Sequence, residues 1–179
     1  MQLKYSASAF DVFDNWRQMQ VTPAAGNLLM FKNVGYALQF IHFHSPAEPI
    51  IDGDRGELGI HFIHATEDRK FAIIAVKVKV GEENPMISAI IKNFPDAQGA
   101  QRSVIAPLQL DMLLPKNLSS YYNYRGSITI PPCFQTAKWI ILKDSITMSQ
   151  AQIDAFKKRY DNNVRPVQPL NGRSVYTTK

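Results

Sequence analysis

The sequence predicts a mainly-β fold with short peripheral helices, and three observations lead there. Six runs are rich in β-branched and aromatic residues: 28–31, 36–43, 59–64, 71–80, 121–124 and 137–142. Turn formers lie between them, notably Asp52-Gly53 and Gly81. Only two segments pair helical periodicity with a legible N-terminal cap.

In chain order, 28–31 (LLMF) and 36–43 (YALQFIHF) precede the Asp-Gly turn. The runs 59–64 (GIHFIH) and 71–80 (FAIIAVKVKV) follow it and end at Gly81. Asn84 then offers a capping side chain with Pro85 at the first helical position. Met86, Ile87, Ile90, Ile91 and Phe94 give that helix one apolar face. The stretch 102–120, with Pro107 and Pro115, reads as a long ordered loop before the strands 121–124 and 137–142. Ser149 and Gln152 form a capping box ahead of Ile153, Phe156 and Tyr160. A second long loop is expected over 161–179, with Pro166 and Pro169.

The 179 residues suit one domain with a sizeable core, and no repeat, low-complexity tract or Gly/Ser linker divides them. Hydrophobic content of 45% and charged content of 20% are ordinary for a globular protein. The net charge of +5 comes from basic residues scattered among acidic ones, grouped only at Lys157-Lys158-Arg159 and near the C-terminus. That pattern lacks the basic stripe with interleaved aromatics of a nucleic-acid surface, so nucleic acid is not an expected partner. No apolar run approaches the roughly 20 residues of a membrane span. The opening MQLKYSASAFDVF lacks the basic-then-apolar layout of a signal peptide. Cys133 is the only cysteine, which rules out an internal disulfide.

All four histidines fall between positions 42 and 64, in FIHFHSPAE and GIHFIHATE. On a strand, His42 and His44 project from one face. An antiparallel neighbour carrying His61 completes three nitrogens, the ligand set of a catalytic zinc with an open fourth position. His64, three residues beyond His61, faces the other way and reads as structural. A lone His-x-His is more often a hydrogen-bonded pair than a metal site. The third histidine and Glu48 reverse those odds. Zinc lowers the pKa of its bound water to about 7, which suits hydration of a small neutral electrophile beside an apolar wall.

These residues resemble the α-class carbonic anhydrases, and the likeness runs through almost the whole chain. IHFHSPAEPIIDG is similar to the family's metal strand and GIHFIH to the strand of its third ligand. RKFAIIAVKVKVGEENP, DMLLPKNLSSYYNYRGSITIPPC, AKWIILK and NNVRPVQPLNGR match further blocks in order. The resemblance implies a large, twisted, mostly antiparallel sheet over 1–179 as a single domain, without the family's N-terminal segment. It implies a zinc lyase interconverting carbon dioxide and bicarbonate, with His42, His44 and His61 on Zn2+. Thr129 takes the place of the threonine that accepts a hydrogen bond from the attacking hydroxide, and Glu48 that of the carboxylate accepting from this threonine. The purpose is orientation of the nucleophile. Ile63, Ile73, Ile128 and Trp139 match the apolar wall for carbon dioxide, with Ile130 at the rim; plain core packing accounts for the wall residues equally well.

The departures from the family concern support of the site. Asp14-Asn15-Trp16-Arg17 stands where the family has Asn-Asn-Gly-His, which puts Arg17 at the proton-shuttle position. Arginine stays protonated and relays no proton at neutral pH. Phe40 replaces a glutamine and Gly59 a glutamate, each two residues before a ligand, and such partners are typically worth 10–100-fold in affinity or activity. Backbone carbonyls or waters are the expected substitutes, with one such contact from the region of Asn163. Pro49 replaces a further histidine, and Ile63 and Ile73 are bulkier than the usual valines. The resemblance implies a partner for Cys133 in the N-terminal part of the family domain, and a periplasmic or secreted protein; the lack of a signal peptide leaves the cytoplasm open. Reduced turnover is the expectation. The rivals are a catalytically weak or inactive binding module of the same fold and a truncated remnant, against which the intact caps and core pattern argue.

Overall fold

The computed structural model describes residues 1–178. Its strands are β1 (Gln2–Lys4), β2 (Ser8–Asp14), β3 (Met19–Pro23), β4 (Leu28–Phe31), β5 (Val34–His44), β6 (Leu58–Ala65), β7 (Phe71–Val80), β8 (Gln101–Leu108), β9 (Tyr121–Gly126), β10 (Ala137–Leu142), β11 (Ile146–Met148) and β12 (Tyr176–Thr177). Two helices, α1 (Pro85–Lys92) and α2 (Gln150–Arg159), and a 3-10 turn at Leu110–Leu113 complete the order. The strands form one sheet in the order β12-β9-β10-β7-β6-β5-β3-β2-β8, with β4 joining β5 to β1 and β11 beside β7. Pairing is antiparallel except where β10 and β11 run parallel to β7. This is the mainly-β sheet that the strand runs and their turns predict.

Side-chain alternation sorts the centre of the sheet onto two apolar layers. Leu58, Ile60 and Phe62 of β6 point into the main core, with Ala72, Ile74 and Val76 of β7 and Ile140 and Leu142 of β10. Ile87 and Ile90 of α1 and Ile153 and Phe156 of α2 are buried in that core. Ile63, Ile73, Ala75, Ala137, Trp139 and Ile141 build a second cluster from the intervening positions. Burial on both faces explains why β6 reads as a continuous apolar run rather than an alternating one.

Both helix caps form as the sequence predicts. Asn84 accepts from the N–H groups of Met86 and Ile87, and Ser149 and Gln152 form the capping box. Gln152 also donates to Asn84 O and Ser88 Oγ, each at 2.7 Å, and so joins the starts of the two helices.

The stretch 102–120 is not the continuous loop expected. It contains most of β8, which pairs with β2, and the 3-10 turn. β8 is an edge strand whose Ile105 is 92% exposed, so backbone pairing rather than apolar alternation defines it. β2 escapes a hydropathy reading for another reason: Asp14 occupies an inward position after Phe10 and Val12 and is fully buried. It accepts a hydrogen bond from Tyr160 Oη and lies 3.7 Å from an Arg159 nitrogen. The next turn puts Trp16 at φ 71°. Its indole closes on Gly99, where a Cβ would stand 2.9 Å from Trp16 Nε1. The loop expected over 161–179 holds only the short β12, and residue 179 lies outside the described residues.

His64 faces the main core. Its Nδ1–H is shared between the carbonyls of Phe62 and Ala72, and its Nε2 accepts from Tyr5 Oη at 2.6 Å. Burial lowers its pKa to about 4, against the hydrogen bonds to Ala72 and Phe62 that oppose the shift. A histidine kept neutral in the native state lends stability above its unfolded pKa near 6.5 and loses it as pH falls toward 4. That gap is worth roughly 3 kcal/mol. Urea unfolding at pH 7, 5 and 4 with a chelator present should show this acid loss, and His64→Gln should flatten the profile. Identical pH dependence in the two proteins would contradict the assignment.

Candidate metal centre

The register between β5 and β6 assembles the centre. His42 pairs directly with His61 and His44 with Gly59. A register shift between Leu38 and Phe40 takes Gln39 out of the ladder, so Phe40, not Gln39, pairs with Ile63. Two ladders then cross the sheet side by side. One runs His42, His61, Ala75, Ile141, Tyr122; the next runs Phe40, Ile63, Ile73, Trp139, Tyr124. The apolar wall thus lies one ladder from the imidazoles, and Trp139 meets His61 edge-on with ring centroids 5.1 Å apart.

His42, His44 and His61 are all buried. His42 Nε2 lies 2.8 Å from His44 Nε2 and 3.2 Å from His61 Nδ1. Nitrogens around a tetrahedral zinc, each about 2.0–2.1 Å from the ion, stand roughly 3.3 Å apart. The donor set also fits. His44 Nδ1 is 2.9 Å from Asn163 O, and His61 Nε2 is 2.7 Å from Glu48 O. Carbonyls only accept, so both histidines carry their proton on the outer nitrogen and present a lone pair inward. Glu48 Oε1, 3.2 Å from His44 Nε2, adds a further acceptor to the same space. Without a metal, His42 Nε2–H can donate to one of its two imidazole neighbours; a cation instead takes the lone pairs of all three inward nitrogens at once.

Electrostatics favour the neutral, ligating form. Burial pushes His42 well below the usual histidine range, and His44 and His61 nearby push the same way. His61 is likewise lowered by burial first and by His44 second. His44 is lowered by burial, with Glu48 opposing.

Asn163 secures the first strand. Its Oδ1 accepts from Ser45 N at 2.8 Å, and its Nδ2 donates to the carbonyls of Phe43 and Arg17, each at 3.1 Å. Arg17 itself is exposed, its main chain tied to the site's support and its side chain toward solvent. Arg165 secures the other side. Its N–H donates to Glu48 Oε2 at 2.9 Å and its Nη1 to Ser127 Oγ at 2.6 Å, while Ser127 O accepts from Trp139 Nε1 at 2.9 Å. These bonds link the carboxylate to the loop that carries Thr129. No motif in the sequence marks Arg165 or Ser127; their one signal is a place in NNVRPVQPLNGR and DMLLPKNLSSYYNYRGSITIPPC.

Thr129 and Glu48 line one cavity of about 440 Å³, together with Ser127, Trp139, Tyr124 and Arg165. Glu48 Oε1 has no hydrogen-bond partner among the described residues, so the bond to Thr129 that the resemblance implies is not formed in this structure. Ile63, Ile73 and Trp139 are buried in the second apolar cluster, and Ile128 packs against it. Ile130 lies on the loop, its carbonyl accepting from Cys133 N. Phe40 tilts against His42, ring centroids 5.7 Å apart, and borders a broad open cleft over β3 and β5. Hydrocarbon cannot accept from His42 Nδ1, which is buried with no partner among the described residues. Replacing Phe40 by Gln restores an acceptor side chain there and should tighten zinc binding by about tenfold in chelator competition. Unchanged or weaker binding would show that Nδ1 is satisfied another way.

The model of the eukaryotic-type carbonic anhydrases matches residues 18–179. A carbonic anhydrase of Pectobacterium atrosepticum is 34% identical over 176 residues, covering 98% of this chain and 72% of that relative. The α-carbonic anhydrase of Thermovibrio ammonificans, solved with sulfanilamide, superposes with a TM-score of 0.92 at 34% identity, over 97% of this chain and 77% of that one. A dioscorin solved with ascorbate superposes with a TM-score of 0.89 at 28% identity, over 99% of this chain and 77% of that one. Among the described residues, no helix is long and apolar enough to cross a membrane.

Proposed function

The chain belongs to the eukaryotic-type, α-class carbonic anhydrase family, and from that premise we propose that it interconverts carbon dioxide and bicarbonate with zinc as cofactor. The observation that carries the reading is the convergence of three buried imidazole nitrogens, His42 Nε2, His44 Nε2 and His61 Nδ1, with Glu48 beside them. Zinc, when bound, makes hydroxide available at neutral pH.

The remaining work falls to the chain's own residues. Asn163 O and Glu48 O keep two imidazoles turned inward. Glu48 is anchored through Oε2 by Arg165 N–H, which leaves Oε1, 3.2 Å from His44 Nε2, as the acceptor that Thr129 would need to orient the nucleophile. Ile63, Ile73 and Trp139 supply a wall without hydrogen-bonding groups facing a small apolar substrate. Proton removal is the weak step. An arginine relays no proton at neutral pH, and all four histidines are buried, so among the described residues no histidine stands at the rim to relay the proton. Buffer must take it.

A second reading, a weak or inactive binding module, draws on the unpartnered Nδ1 of His42. Stopped-flow carbon dioxide hydration with parallel metal analysis separates the two. We expect one zinc per chain, hydration above the buffer background, and loss of both in His61→Ala. The rate should rise with buffer concentration and with added imidazole. Stoichiometric zinc without hydration would favour the binding module, and a rate indifferent to buffer would contradict the missing relay.

A further inference from the structure

Gly59 stands directly across from His44 in the ladder and two residues before His61, so all three share one face of the sheet. Its φ is not positive, so backbone conformation does not call for glycine here. Space does. A Cβ at position 59 would lie 3.1 Å from Ala47 Cα, 3.2 Å from Ala47 Cβ and 3.3 Å from Glu48 N. Two of these neighbours are main-chain atoms, which cannot swing aside as a flexible side-chain end can.

The segment that makes this close approach also carries both groups that Glu48 offers to the centre. Its carbonyl meets His61 Nε2 at 2.7 Å, and its carboxylate lies 3.2 Å from His44 Nε2 and 2.9 Å from Arg165 N. We propose that Gly59 is a positioning residue of the metal centre. By having no side chain it lets the segment 45–49 settle on β6, so that the Glu48 main-chain carbonyl holds the His61 tautomer while the Glu48 carboxylate reaches the site. The inference rests on the zinc reading above. It assigns one cause to two features, a neutral main-chain partner for His61 and the placement of Glu48.

A neutral acceptor polarises the imidazole less than a carboxylate would, so His61 remains a ligand of moderate basicity. Its orientation therefore depends on keeping that carbonyl in place. A methyl group at position 59 should displace it.

The test is ¹⁵N NMR of the histidine side chains in the metal-free protein, combined with zinc affinity by chelator competition. Wild type should show His61 as the Nε2–H tautomer. Gly59→Ala should lose that preference and weaken zinc binding 10–100-fold, with partial recovery in Gly59→Ala/Ala47→Gly, where the Cβ contact is relieved. A Gly59→Ala protein with unchanged tautomer and unchanged affinity would overturn the proposal. So would an Nδ1–H tautomer in wild type, a measurement that needs no variant to fold. If wild type shows the Nε2–H tautomer yet binds no zinc, the zinc reading fails while the role of Gly59 in setting His61 stands.

Discussion

The pairing of His42 with His61 across β5 and β6 is the constraint on which the rest of the site depends. A side chain in a sheet changes face with every residue, so a slip of one position would turn one strand's histidines into the main core and bring Ile41 and Phe43 to the site. Burial of both faces of β6 makes such a slip costly, because Leu58, Ile60 and Phe62 would leave the main core together. The shift at Leu38 and Phe40 belongs to the same constraint, since it brings Phe40 beside His42 and leaves Gln39 out of the ladder. Register thus decides both which nitrogens converge and which neighbour the first ligand receives.

Support of the centre comes mostly from main chain. Asn163 O, Glu48 O and Arg165 N do what side chains commonly do at metal sites, and the segments that supply them are themselves tied down by Asn163, Ser45 and Ser127. Carbonyl partners define tautomers sharply but add no charge. The buried centre therefore holds one carboxylate, that of Glu48, and three imidazoles whose burial favours the neutral form. Orientation is bought at the level of loop placement, and His42, with hydrocarbon beside it, is the member left without such a partner.

Much of this was legible in the residues themselves. His42, His44 and His61 announced a centre through period-two spacing and a nearby strand, and Asn84, Ser149 and Gln152 announced two helix starts by cap chemistry. Thr129, the apolar wall and the large twisted sheet around them were expected only through resemblance to a family. What stayed hidden has a common physical origin. β8 is held by backbone pairing on an edge with Ile105 outward, and β2 buries a charged residue at a core position. The partner of His61 is the carbonyl of Glu48, a group that every residue possesses and no sequence pattern marks. Gly59 read as a lost glutamate, because the approach of residue 47 is a fact of three dimensions alone.

The two tryptophans are placed in opposite surroundings. Trp16 is 66% exposed on the turn beside Arg17, while Trp139 is 1% exposed, stacked on Tyr124 and edge-on to a ligand imidazole. The chain therefore contains two tryptophan fluorophores with separable signals. One emits from water and is open to soluble quenchers. The other emits from an apolar wall in contact with the centre, and its light reports on what happens there.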